Sequence, residues 1–168
     1  MEIHKRDLRD LEKRDPHRLI KITPIGIIHS PLKRLKGIPI QFKMSDIRGK
    51  IEIFEDYLPG MKDLEGFSHI YCLYYLDLVK LPIPLQSKPF LVDDKKGVFS
   101  TRTPFRPNPI GLSILELEKV LQNIIYVKNI DILDKTPVLD IKPYINEFDA
   151  IRATKSGWYK GHIRKKCS

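Results

Sequence analysis

A chain of 168 residues with 42% apolar content is long enough for one domain with a real core and too apolar for wholesale disorder. Its formal charge of +9 points to a polyanionic partner, with nucleic acid ahead of an anionic membrane. No apolar run approaches the roughly 18–20 residues of a membrane helix, and the charged start lacks the apolar centre of a signal peptide. Cys72 and Cys167 show neither metal nor disulfide spacing, which fits a reducing cytoplasm.

Residues 1–18 mix acids and bases around a thin Leu8–Leu11 stripe and read as a charged arm. A compact domain is expected over 19–150, and a basic tail over 151–168. Ile25–His29 predicts a first strand that stops at Pro31, followed by an irregular basic loop from Lys33 to Gln41. Lys50–Ile53 alternates as a half-buried strand, and Ile70–Leu76 reads as a strand buried on both faces. Pro82, Pro84 and Pro89 mark a loop. Val98–Thr101, Ile114–Val120, Ile124–Val127 and Asp131–Leu133 follow as short strands, and Asp134–Pro137 is a turn before an extended segment reaching Tyr144. The tail carries Arg152, Lys155, Lys160, Arg164, Lys165 and Lys166 around Trp158 and Tyr159. Many short strands and hardly any helix predict a mainly β fold, a small β-barrel or β-rich α+β domain with short peripheral helices or loops. No glycine fingerprint follows a strand, so a Rossmann fold is unsupported.

Gly97–Ser113 is the stretch around which the rest is organised. Prolines at 104, 107 and 109 forbid a helix or central strand and restrict Thr103, Arg106 and Asn108 to extended geometry. A polar loop stiffened in this way holds donors for a ligand, and Arg102, Arg106 and Asn108 are the donors it offers. A merely solvated proline-rich connection is the plainer alternative. A second rich stretch is Asp131–Tyr144. On a strand, Asp140, Lys142 and Tyr144 would share one face with Leu139 and Ile141 on the other. Such a face can line a polar site for an amine or hydroxyl nucleophile, or can simply carry an exposed salt bridge. The five histidines are scattered and no pair has ligand spacing, so no metal is expected.

The runs Ile25-Gly-Ile-Ile-His-Ser-Pro31, Asp63-Leu-Glu-Gly-Phe-Ser-His-Ile70, Gly97–Ser113 and Thr136-Pro-Val-Leu-Asp-Ile-Lys-Pro-Tyr144 resemble the TsaA/TrmO family, in four ordered motifs across 22–146. The resemblance implies an S-adenosylmethionine-dependent methyltransferase built on a β-barrel. Its substrate would be the exocyclic amine of threonylcarbamoyl-modified adenosine beside the anticodon of tRNA, and it would act as a homodimer. It places Arg102 and Leu112 on cofactor-contacting positions, with Arg102 suited to the carboxylate. Asp77 and Leu78, the segment Lys128-Asn129-Ile130-Asp131, and the loop Pro39-Ile40-Gln41 complete the implied cofactor set. Asp140, Lys142 and Tyr144 become catalytic candidates, and Arg106 and Asn108 candidates for the tRNA side. Lys135 departs from the family, which usually has glycine there. Two rivals remain: a non-catalytic RNA-binding module, and a small-molecule methyltransferase on the same barrel.

Overall fold

The computed structural model describes residues 15–162. The expectations for residues 1–14 of the arm and for Arg164, Lys165, Lys166 and Cys167 lie outside that range.

Six strands close an antiparallel barrel in the order β1 (Gly26–His29), β2 (Gly49–Ile53), β7 (Ile124–Lys128), β6 (Ile110–Leu121), β3 (His69–Tyr75) and β8 (Pro137–Pro143). Closure comes where Gly26 pairs with Val138 and Ile27 with Pro137. A barrel of this size has room only for its own side chains. Ile28, Ile51, Ile70, Cys72, Leu115, Ile125, Val127 and Val138 fill it, each fully buried. Their alternation along each strand is the period-2 pattern legible in the sequence. Burying each of the larger side chains contributes about 1.5–3 kcal/mol. A two-stranded ribbon of β4 (Gln86–Ser87) and β5 (Lys96–Gly97) stands beside the barrel. Among the described residues one α-helical turn, α1 (Asn146–Asp149), follows β8. Among the described residues no helix is long and apolar enough to cross a membrane.

Four expectations need correction. Val98–Thr101 is a 3-10 turn over Val98–Ser100 and not a strand. The Ser100 hydroxyl donates to the Gly97 carbonyl and the Thr101 hydroxyl to that of Val98, so side chains take the acceptors that a ladder would use. Asp131–Leu133 is also a loop, for a related reason. Ser45 Oγ donates to the Ile130 carbonyl and Ser30 Oγ to that of Ile132, fastening the segment by side chains from distant loops. β3 is buried on one face only: Ile70, Cys72 and Tyr74 point inward while Tyr75 is 38% exposed. In β8 the register against β3 shifts between Leu73 and Tyr74, so Val138 is in the core and Ile141 packs against it, and strict alternation is broken.

The turn before β8 places Lys135 in a conformation that suits glycine. Lys135 has φ +65, in the left-handed region. Its amide donates to the Ile28 carbonyl, and Asp134 Oδ1 accepts from the Ser30 amide, so β1 dictates the conformation.

Candidate functional site

A cavity of about 540 Å³ opens at one end of the barrel, within the roughly 300–1,000 Å³ typical of small-molecule sites. Four separated segments build it: the 35–41 loop, the turn after β3, the 101–106 loop running into the start of β6, and the 131–136 loop. Of the cofactor candidates, Pro39, Ile40, Gln41, Asp77, Leu78, Arg102, Leu112 and Asp131 all line it. Lys128, Asn129 and Ile130 do not. Lys128 Nζ lies 3.7 Å from Glu116 on the barrel wall, and Asn129 turns the chain with φ +66. Ile130 is buried, its amide donating to the Ile47 carbonyl and its own carbonyl accepting from Ser45.

The polar floor is a chain of three residues. Tyr74 Oη lies 3.2 Å from Ser113 Oγ, and Ser113 Oγ donates to Asp131 Oδ1 at 2.6 Å. Gly111 makes this possible, because a Cβ there would overlap the Tyr74 ring. Burial pushes the Asp131 carboxyl above its usual range, against the Ser113 hydrogen bond and the nearby Arg102 guanidinium, which pull it down. The Phe42 backbone also pulls this carboxyl down, the weakest of these effects. Burial likewise raises the Tyr74 phenol and the Cys72 thiol, keeping both neutral. Tyr74 and Ser113 were not anticipated. Their signal was present: Gly111 and Ser113 occupy inward positions of β6 where Leu115 would otherwise set the pattern.

The two arginines of the proline-rich loop have different surroundings. Arg102 is exposed at the cavity wall. Arg106 turns back onto its own loop, where Nη1 donates to the carbonyls of Val98 and Thr101 at 3.0 Å each. The loop is also clasped from the C-terminal side, since Trp158 Nε1 donates to the Ser100 carbonyl at 2.7 Å. Asn108 is exposed and does not line the cavity.

Asp140, Lys142 and Tyr144 lie outside the cavity. Asp140 Oδ2 is 2.8 Å from Lys142 Nζ, both side chains partly exposed, so the salt bridge that was one of the two readings is present. Through Leu73, Asp140 stands in register with Leu112 of the cavity rim, two strand spacings or about 10 Å away. Tyr144 lies four residues along, roughly 13 Å further down the wall. Among the described residues no three His, Cys, Asp or Glu side chains converge as a metal site.

The sequence profile described as the tRNA-methyltransferase O N-terminal domain matches residues 27–150. A probable S-adenosyl-L-methionine-binding protein of Pyrococcus abyssi is 45% identical over 148 residues, 88% of this chain and 80% of that protein. The human tRNA (adenine(37)-N6)-methyltransferase is 38% identical over 135 residues, 76% of this chain but 30% of the human one. The crystal structure of TrmO from Pseudomonas aeruginosa superposes with a TM-score of 0.69 at 32% identity, covering 84% of this chain and 63% of that one. The chain thus spans most of the archaeal relative but less than two thirds of the bacterial and human ones. The matched profile runs from Ile27 in β1 through α1, nearly the whole barrel, and the chain belongs to the TrmO family.

Proposed function

We propose that this protein is an S-adenosylmethionine-dependent methyltransferase acting on the N6 amine of adenosine 37 of tRNA. The observation that carries the reading is the single cavity uniting eight of the eleven cofactor candidates. Its donor set fits the cofactor: Arg102 can pair with a carboxylate, the Asp131 and Asp77 carboxyls can accept from ammonium or ribose, and Leu76, Leu112 and Leu133 offer apolar surface. The names of the archaeal and human relatives support both the cofactor and the substrate. The net charge of +9 favours RNA over a small-molecule acceptor.

Bound S-adenosylmethionine supplies an electrophilic methyl group on a sulfonium. The acceptor nitrogen displaces it directly and loses a proton, so the protein needs no nucleophile of its own. Its task is alignment, which can supply about 7–11 kcal/mol of the barrier. The proline-stiffened loop fixes Arg102, and the Ser113 hydroxyl fixes the Asp131 carboxyl. Asp140, in register with the cavity rim, is assigned the amine proton, with Lys142 holding its carboxylate in place. Asp140→Asn should lower turnover far more than cofactor affinity. Equal loss of both would move Asp140 to binding or folding.

The reading includes a threonylcarbamoyl group on the target adenosine, residence in the cytoplasm and assembly as a homodimer. Support for the dimer is the apolar collar at the cavity mouth, where Ile40, Leu78 and Leu112 are 49%, 68% and 48% exposed. Methyl incorporation into tRNA with and without the threonylcarbamoyl group, beside calorimetry with S-adenosylmethionine, tests the whole. Cofactor binding without methyl transfer to either tRNA would favour the small-molecule enzyme. RNA binding with no heat from the cofactor would favour the non-catalytic module.

A further inference from the structure

Outside the cavity, the β6–β3–β8 wall carries a second feature. Ile114, Tyr71 and Lys142 form one outward row across the three strands. Tyr144 continues the next row, its amide donating to the His69 carbonyl. The Tyr71 and Tyr144 rings stand 5.6 Å apart and tilted by 52°, so neither covers the face of the other. The segment after α1 forms the opposite bank of a groove, with Asp149 and Arg152, and Lys43 closes one end. Asp149 Oδ2 accepts from the Ile145 amide at 2.7 Å, and burial together with the nearby Asp149 charge raises the Tyr71 phenol. The bond to the Ile145 amide makes the Asp149 carboxylate a fixed acceptor on that bank. Lys43 and Arg152 are exposed and, among the described residues, are not paired with a carboxylate.

Two residues of this groove adjoin cavity-lining residues along the chain. Lys43 follows Gln41 by two residues, and Ile114 follows Leu112 by two on the same outward face, a step of about 7 Å. Aromatic faces, a fixed carboxylate acceptor and two exposed cations make up the chemistry that holds one nucleotide: base by stacking, exocyclic amine by hydrogen bond, phosphate by charge.

We propose that the groove between Tyr71, Tyr144 and Arg152 holds an unstacked RNA nucleotide that flanks the methyl-accepting adenosine. This rests on RNA being the substrate, and it gives Tyr144 a stacking role in place of a proton-handling one. The groove steers the strand so that its neighbour reaches the cavity rim beside Leu112. A second copy of this chain, inserting an apolar side chain, is the rival occupant.

The test uses the full chain and a synthetic anticodon stem-loop RNA, with affinity read by fluorescence anisotropy over a salt series. Tyr144→Ala should weaken the stem-loop between about fivefold and a hundredfold, as the loss of one stacked base does. Tyr144→Phe should restore binding, and neither should move the S-adenosylmethionine Kd. Arg152→Ala should flatten the salt dependence by a slope of about 0.7. Unchanged RNA affinity in Tyr144→Ala and Arg152→Ala overturns the groove while leaving the methyltransferase reading intact. A change in oligomeric state by light scattering, with RNA affinity unmoved, assigns the groove to the second copy and overturns the proposal. A wild-type protein that binds cofactor but no stem-loop removes RNA itself, and the proposed substrate fails with it.

Discussion

Ser113 Oγ donates to Asp131 Oδ1 at 2.6 Å, joining a fully buried residue of the barrel wall to a loop carboxylate 18 positions later. A serine hydroxyl has one proton, so the Tyr74 phenol, 3.2 Å away, is the donor in its own contact with Ser113. The three residues form a directed chain from core to cavity. Ser113→Ala leaves a buried phenol and a half-buried carboxyl each short of a partner, at up to about 1–3 kcal/mol apiece. Urea denaturation should show the lower stability, and calorimetry a weaker hold on the cofactor as the Asp131 loop loosens.

The two loop arginines should separate experimentally. Arg102→Lys keeps the charge but loses the planar fork, and should raise the S-adenosylmethionine Kd at least about tenfold, matching the 1.5–3 kcal/mol of a charge-assisted hydrogen bond. Arg106→Lys cannot bridge the Val98 and Thr101 carbonyls as the guanidinium does. Its effect should appear as a lower Tm and a looser cofactor site. A flattened salt dependence of tRNA binding with Tm unchanged would return Arg106 to the RNA side, where the sequence had placed it.

Lys135 carries a conformational penalty that glycine would not. At φ +65 a residue with a Cβ is strained by about 1–2 kcal/mol, against roughly 0.5–1 kcal/mol of extra chain entropy for glycine when unfolded. Lys135→Gly should therefore stabilise the protein by about 0.5–1 kcal/mol, read as a higher urea midpoint at constant slope. Destabilisation would mean that the Lys135 side chain makes a contact worth more than the strain.

Asp131 and Asp134 should act in opposite directions on stability against pH. The Asp134 carboxyl is held below its usual range, first by its hydrogen bond to Lys33 and then by the Ser30 amide. The stability it contributes is present above the unfolded value near 3.9 and is lost as pH falls through the lower folded value. Asp131 is raised by burial, so the folded state binds its proton more tightly. Its ionisation lowers stability as pH climbs from about 3.9 through the higher folded value. Denaturation between about pH 2 and 7 should show Asp134→Asn removing part of the acid-side loss. Asp131→Asn should remove part of the decline on the other side of the window.

The barrel strands were largely legible because each needs only local information. Alternation in Lys50–Ile53 and Ile124–Val127 reports a wall with one face inward, and prolines at 31, 137 and 143 mark where pairing ends. The family motifs, being contiguous runs, were legible for the same reason. What the sequence could not disclose depends on partners far along the chain. Val98–Thr101 and Asp131–Leu133 have strand-like composition, yet side-chain hydroxyls answer their carbonyls and no neighbouring strand does. The shift in the β3–β8 register, which breaks the expected alternation around Asp140, exists only once the two strands meet.

The candidate site divides along the same line. The proline-rich loop by itself determined that Arg102, Arg106 and Asn108 are held stiffly, because proline fixes φ without help from elsewhere. Which arginine faces the cavity was decided only by tertiary structure. Barrel closure brings Gln41, Asp77, Arg102 and Asp131 to one end, and the Val98 and Thr101 carbonyls draw Arg106 away from it. Local stereochemistry sets what a segment can present, and the non-local hydrogen bonds that need satisfying settle where it points.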